Sequence, residues 1–178
     1  MNMLTTCLQD GLFAAVASVG FAAISRPTRV IILVAALLAA IGHMGRFLLM
    51  QAQVGIASAS LCAAALIALC SIPFARKLHI PAEMFVFPAL LPMIPGMYAY
   101  KAILATLRFL RQPDIVPDYA LLAQIAYNSM TALFIMLALG IGASMPLLLL
   151  RQESPLGKAV RHLRGSAHAL VSRHKPRH

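Results

Sequence analysis

Residues 88–105, PALLPMIPGMYAYKAILA, place three prolines inside a run apolar enough to enter a bilayer. Few ways of folding a chain accommodate both conditions. Proline has no amide to close the i→i−4 bond, and its ring clashes with the preceding turn. A helix through Pro88, Pro92 and Pro95 therefore gives up its bonds to the carbonyls of Met84, Pro88 and Leu91. The i, i+4, i+7 spacing gathers those carbonyls on one face. In hydrocarbon each costs several kcal/mol unless protein or a wet cavity satisfies it. A second half-helix can restart at Pro95, since proline suits a first helical position. Its positive dipole end and free amides then lie at membrane depth, as in the broken helices that hold substrates in transporters. The alternative is a proline-kinked packing helix, a common device in membranes.

Composition fixes the class. The chain of 178 residues is 61% hydrophobic and 11% charged, with a mean hydropathy of +0.83. Five acids (Asp10, Glu83, Asp114, Asp118 and Glu153) cannot clothe a soluble surface of this size. The expected fold is an all-α polytopic membrane bundle of about five spans, with a proline-broken fourth span. Cys7, Cys62 and Cys70 show no metal-ligand spacing and read as small buried hydrophobes. No basic residue precedes the first apolar run, so that run is expected to be a retained span and not a cleaved signal.

The spans follow in order. The first covers about Gly11 to Ser25, or begins nearer Thr5, and its small residues allow close helix contact. The second, Val30 to about Met50, ends in IGHMGRFLLM, where His43 and Arg46 share a helix face. Such a pair can hold a carboxylate, or the histidine can relay a proton. Equally, Arg46 can snorkel and His43 can bond a neighbouring helix. The third span, about Val54 to Phe74, carries no charge and reads as structural. The fourth is the broken segment, about Met84 to Leu107, where Lys101 lies close enough to the span end to snorkel outward. No carboxylate is evident beside His43, Arg46 or Lys101. The fifth span, from Tyr119 towards Leu150, would reach about 48 Å, so it must tilt, bend at Pro146 or project. Gln124, Asn128, Thr131 and Gly142 share one of its faces, serving either as interhelical glue or as substrate contacts.

Residues 1–150 form the expected membrane domain and residues 151–178 a basic tail. Seven of the fifteen Lys and Arg residues lie in that tail, and most of the others flank apolar runs. Five spans with the amino end outside place eleven of these bases on the cytoplasmic side. The outer loops then hold only Arg108 and Arg111. The tail suits contact with anionic lipid better than with nucleic acid.

IGHMGRFLLM, LPMIPGMYAYKA and NSMTALFIMLALGIGASMP occur in an order that resembles the threonine/serine exporter family. The similarity is to the small five-span subunits that match the carboxyl-terminal half of the full-length exporter, over about residues 10–150. PMIPG followed by a tyrosine is its most specific element, and Lys101 departs from the family pattern. The resemblance implies a bacterial inner-membrane exporter of small metabolites, coupled to the proton motive force. It implies threonine, serine or a dicarboxylate such as succinate as substrate, and no cofactor. It also implies a separate membrane protein resembling the amino-terminal half, with self-association left open. On that basis the expected site has the amides of Gly96 and Met97 on a carboxylate, with Pro92 and Pro95 shaping the break. Tyr100, Asn128 and Thr131 would add hydrogen bonds, and His43 with Arg46 would form a second polar cluster.

Two other classes compete. A non-transporting scaffold or assembly subunit would use the prolines and glycines only to fit helices together. An intramembrane enzyme would need an acidic pair, a Ser/His pair or a metal cluster within the spans, and the sequence suggests none.

Overall fold

The computed structural model describes residues 3–24, 27–111 and 118–150, with side chains as far as residue 148. Among the described residues seven elements follow one another, all of them helical. These are α1 (Met3–Ile24), α2 (Arg29–Gln51), α3 (Ile56–Leu78), α4 (Glu83–Leu90), a 3-10 turn (Leu91–Met93), α5 (Gly96–Leu110) and α6 (Tyr119–Leu150). Among the described residues, α1, α2, α3 and α6 are each long and apolar enough to cross a membrane. The pair Glu83–Met93 and Gly96–Leu110, bent by 46°, makes a fifth span if it crosses as one. The all-α bundle and the proline break in its fourth segment are therefore present, with four spans, or five where the bent pair crosses as one.

The first span begins well before Gly11. Its 22 residues from Met3 reach about 33 Å, enough for a bilayer core, and they place Asp10 inside the helix. Helix α3 likewise runs past Phe74, so Arg76 and Lys77 occupy its last turn, where the negative dipole end favours them. His79 then caps α3 in the left-handed region, at φ 56°. Asp118 starts α6, its Oδ1 accepting from the amides of Ala120 at 2.9 Å and Leu121 at 3.2 Å. Helix α6 continues through Pro146 without interruption.

Within the compact unit Met1–Leu147, α2 packs against α1, α3 and α4. Leu38, Ile67, Phe85, Met93 and Ile135 are fully buried, among alanines that bring the helices close. Leu12, Phe13, Leu33, Phe87 and Leu137 point outward, the apolar exterior of a chain whose solvent is lipid. Three hydroxyls inside the spans donate to their own helices, Ser60 to the Ile56 carbonyl, Ser71 to Ala68 and Thr106 to Ala102, whereas the buried Ser18 hydroxyl makes no such bond. Of the cysteines expected to be buried, Cys7 is, Cys70 is half-buried and Cys62 is exposed. An apolar span favours a small soft side chain on either face. The tail 151–178, with Arg26, Pro113, Asp114 and Pro117, lies outside the described residues.

Candidate functional site

The break is an inverse γ-turn. Pro95 sits at φ −78° and ψ 53°, and the Gly96 amide donates to the Ile94 carbonyl at 2.8 Å. A straight helix would have given that amide to Pro92, so the Pro92 carbonyl is released from the ladder. One acceptor expected to be orphaned is recovered, since the Leu91 carbonyl accepts from Ile94 at 3.2 Å. In the first turn of α5, the Tyr98 and Ala99 amides share the Pro95 carbonyl. The Met97 amide makes no backbone bond there, leaving an orphan donor of the usual helix-start kind. The Gly96 amide, by contrast, is already engaged.

The break rests on α2 at the level of its polar residues. Gly42 makes this approach possible: a Cβ there would collide with the Ile67 side chain and come within 3.0 Å of Met93 Cε. Gly11 does the same for α1, where a Cβ would lie 2.7 Å from Met44 Cγ and 3.4 Å from the Ala40 carbonyl. These contacts bring three helical segments around His43. The ring is buried (6% exposed), and its Nδ1 lies 3.2 Å from Asp10 Oδ2, a carboxylate that is 40% exposed. The Pro92 carbonyl lies near the same ring, while Nε2 is buried and completes no hydrogen bond. Arg46, half-buried one turn further along α2, lies within electrostatic reach of Asp10 and of Tyr98 on α5.

The expectation that no carboxylate stands beside the intramembrane cations is thus corrected. A span starting at Gly11 leaves Asp10 outside, whereas the earlier start, nearer Thr5, is the one that α1 adopts, and it carries Asp10 into the bundle against His43. A signal was present: a lone acid within an apolar run needs a partner in lipid, and the cations inside the spans are few. Tyr98 also joins the cluster unexpectedly. The structure brings His43, Arg46 and Pro92 together and buries Pro95 at the turn. Gly96, Met97 (65% exposed) and Tyr100 (59%) lie on an outer face of this chain, as does Lys101. On α6, Asn128 is 8% exposed and its amide donates to the Gln124 carbonyl of its own helix at 2.7 Å. Thr131 is half-buried and Gln124 is exposed, so the polar face of α6 is only partly turned to protein.

The Asp10–His43 pair holds α1 to α2, and removing one partner strands the other. Asp10→Ala is expected to lower stability by about 1–3 kcal/mol, because Nδ1 is left buried and unsatisfied. The double variant Asp10→Ala/His43→Leu should recover part of that loss, having no polar group left to satisfy. Thermal unfolding of the four proteins in lipid nanodiscs checks this; additive losses would mean that the pair is not coupled.

A family model described as Threonine/Serine exporter, ThrE, matches residues 10–149. Among curated proteins, an uncharacterized protein of Haemophilus influenzae is 30% identical over 149 residues, covering 84% of this chain and 49% of that protein. The chain spans about half the length of that relative. No solved structure matches it.

Proposed function

The chain belongs to the threonine/serine exporter family, and from that premise we propose that it is one part of a two-part secondary transporter. The transporter exports a small carboxylate-bearing metabolite, either threonine or serine or a dicarboxylate such as succinate. A separate membrane protein resembling the other half of the full-length exporter completes it. The observation that carries this reading is the γ-turn break docked on a cluster of Asp10, the buried His43 and the half-buried Arg46. Ionisable groups at membrane depth are expensive and are retained for pathways. A helix start aimed into such a region is an anion site.

In this scheme the Met97 amide and the positive end of α5 receive the carboxylate, and Arg46 supplies its counter-charge. Gly96, Met97 and Tyr100, exposed on this chain alone, face the other half across the passage. Asn128 and Thr131 contribute from α6. Outward transport drawn from an inward proton gradient requires exchange, so protons enter as substrate leaves. The protein sits in the bacterial inner membrane with its amino end outside. Its basic tail lies against anionic headgroups on the cytoplasmic face.

The test is export of labelled threonine, serine and succinate from cells lacking their own exporters. The chain is expressed alone and with a neighbouring-gene product that resembles the missing half. Export is expected only when both are present. Export by this chain alone would remove the obligate partner. Absence of export of all three, with both proteins inserted, would overturn the transporter reading and leave an assembly subunit.

A further inference from the structure

We propose that His43 carries the proton of the transport cycle, with Nε2 as the atom that takes it up and the Pro92 carbonyl as its acceptor. The proposal rests on the exporter reading above and assigns its coupling site.

An ionised carboxylate offers acceptors only, so the contact with Asp10 places the ring proton on Nδ1. Nε2 is then a bare base. It is enclosed in a side chain 6% exposed, and it has no hydrogen-bond partner. From the broken span, the Pro92 carbonyl also lies beside the ring, itself an acceptor released by the γ-turn at Pro95. Two acceptors cannot bond one another, so the buried Nε2 carries a desolvation cost with no return. A proton on Nε2 removes that cost: a small closure of the break on the ring lets the new N–H donate to the carbonyl, and the Asp10 carboxylate balances the imidazolium.

The surroundings favour one titrating centre here. Asp10 faces His43 from α1 and Arg46 adjoins it on α2. Tyr98 of α5 faces Arg46. The side chains of α3 and the 3-10 turn that lie against Gly42 and Gly45 on this stretch of α2 are apolar: Leu66, Ile67 and Met93. The acid of α4, Glu83, lines a cavity with Phe21 and Ile31, about three helical turns along α2 from His43. The step is a simple transfer. A proton from water on the outer side forms the Nε2–H bond, and its release to cytoplasmic water breaks that bond; no electrons move. Because the acceptor belongs to the broken span, loading and unloading change how the break is held to α2, which links the proton to the element proposed to meet substrate.

Nitrogen NMR of the full chain in lipid, labelled with ¹⁵N-histidine, reads the two ring nitrogens directly. His43 signals are identified by their loss in His43→Gln. Between about pH 5 and 9, the range in which histidines titrate, Nδ1 is expected to stay protonated while Nε2 passes from protonated to bare. Nε2 fixed in either form throughout would overturn the proposal. In vesicles holding this chain with its partner half, exchange of labelled for unlabelled substrate (threonine, serine or succinate) is measured with and without an imposed pH gradient, and each protein's rate with the gradient is divided by its own rate without it. That ratio should fall at least about 10-fold in His43→Gln, the equivalent of ~1.4 kcal/mol. Full stimulation in His43→Gln would also overturn the assignment. A wild-type pair that exchanges none of the three substrates would overturn the exporter reading instead, and the nitrogen spectra would still decide whether Nε2 binds the proton.

Discussion

A chain carrying Gly96→Leu is expected to insert and fold like its parent and to export at no more than about one-hundredth of its rate. The structural half of that expectation comes from open space. Beyond its chain neighbours and its own helix backbone, no atom lies within 4 Å of a Cβ built at Gly96, and no glycine in the described residues holds a positive φ. Leucine is moreover a better helix former than glycine, by roughly 0.5–1 kcal/mol. The functional half comes from what the added side chain covers. Gly96 opens α5, and the Met97 amide beside it is the donor left without a backbone partner. A charge-assisted bond from such an amide to a carboxylate contributes about 1.5–3 kcal/mol, or roughly 10- to 150-fold in binding, before any steric exclusion. Gly96→Ala, with one carbon, should fall between the two. Initial export rates are compared at equal amounts of inserted protein, with thermal midpoints confirming the fold. Normal export by a well-inserted Gly96→Leu protein would remove the start of α5 from the substrate path.

What the sequence disclosed, and what it withheld, divides along physical lines. The spans were legible because each is a local property: twenty or so apolar residues must cross, whatever they pack against. The break was legible for the same reason, since Pro92 and Pro95 forbid the ladder wherever they stand. Partners across helices were not legible. Asp10 meets His43 only because α1 approaches α2 through Gly11, and the register of that approach is a tertiary fact. The choice between Tyr98 and Tyr100 depends on the rotation at which α5 leaves the γ-turn. That rotation turns Tyr98 towards Arg46 and Tyr100 outward. The polar face of α6 shows a further limit. A wheel groups Gln124, Asn128, Thr131 and Gly142, yet Asn128 is buried while Gln124 is exposed. Burial along a 32-residue helix depends on how far its neighbours extend beside it, which periodicity does not encode.

Two glycines one residue apart from a shared neighbour on α6 should respond oppositely to the same replacement. A Cβ at Gly142 would stand 2.5 Å from the Leu61 carbonyl oxygen, 3.0 Å from Ala64 Cβ and 3.3 Å from the Ala65 amide nitrogen. Two of those three atoms are backbone of α3, so no rotamer change relieves the contact and the helices must separate. Overpacking by single methylenes already costs about 1–3 kcal/mol. A leucine at this point should exceed that range and remove most folded protein. At Gly140 nothing lies within 4 Å. That residue lines an apolar cavity of about 350 Å³ between α4 and α6, with Val86, Leu90 and Leu139 among its walls. Gly140→Leu extends a side chain into that space and gains helix propensity, so its stability should stay within about 1 kcal/mol of the parent. The two variants share composition, hydropathy and helix, which cancels any effect on membrane insertion. The readout is the fraction of each protein that elutes as a single species after mild detergent extraction, together with its thermal midpoint. Equal survival of Gly142→Leu and Gly140→Leu would mean that α6 does not lie against α3 at Leu61, and the packing that positions Asn128 and Thr131 would have to be redrawn.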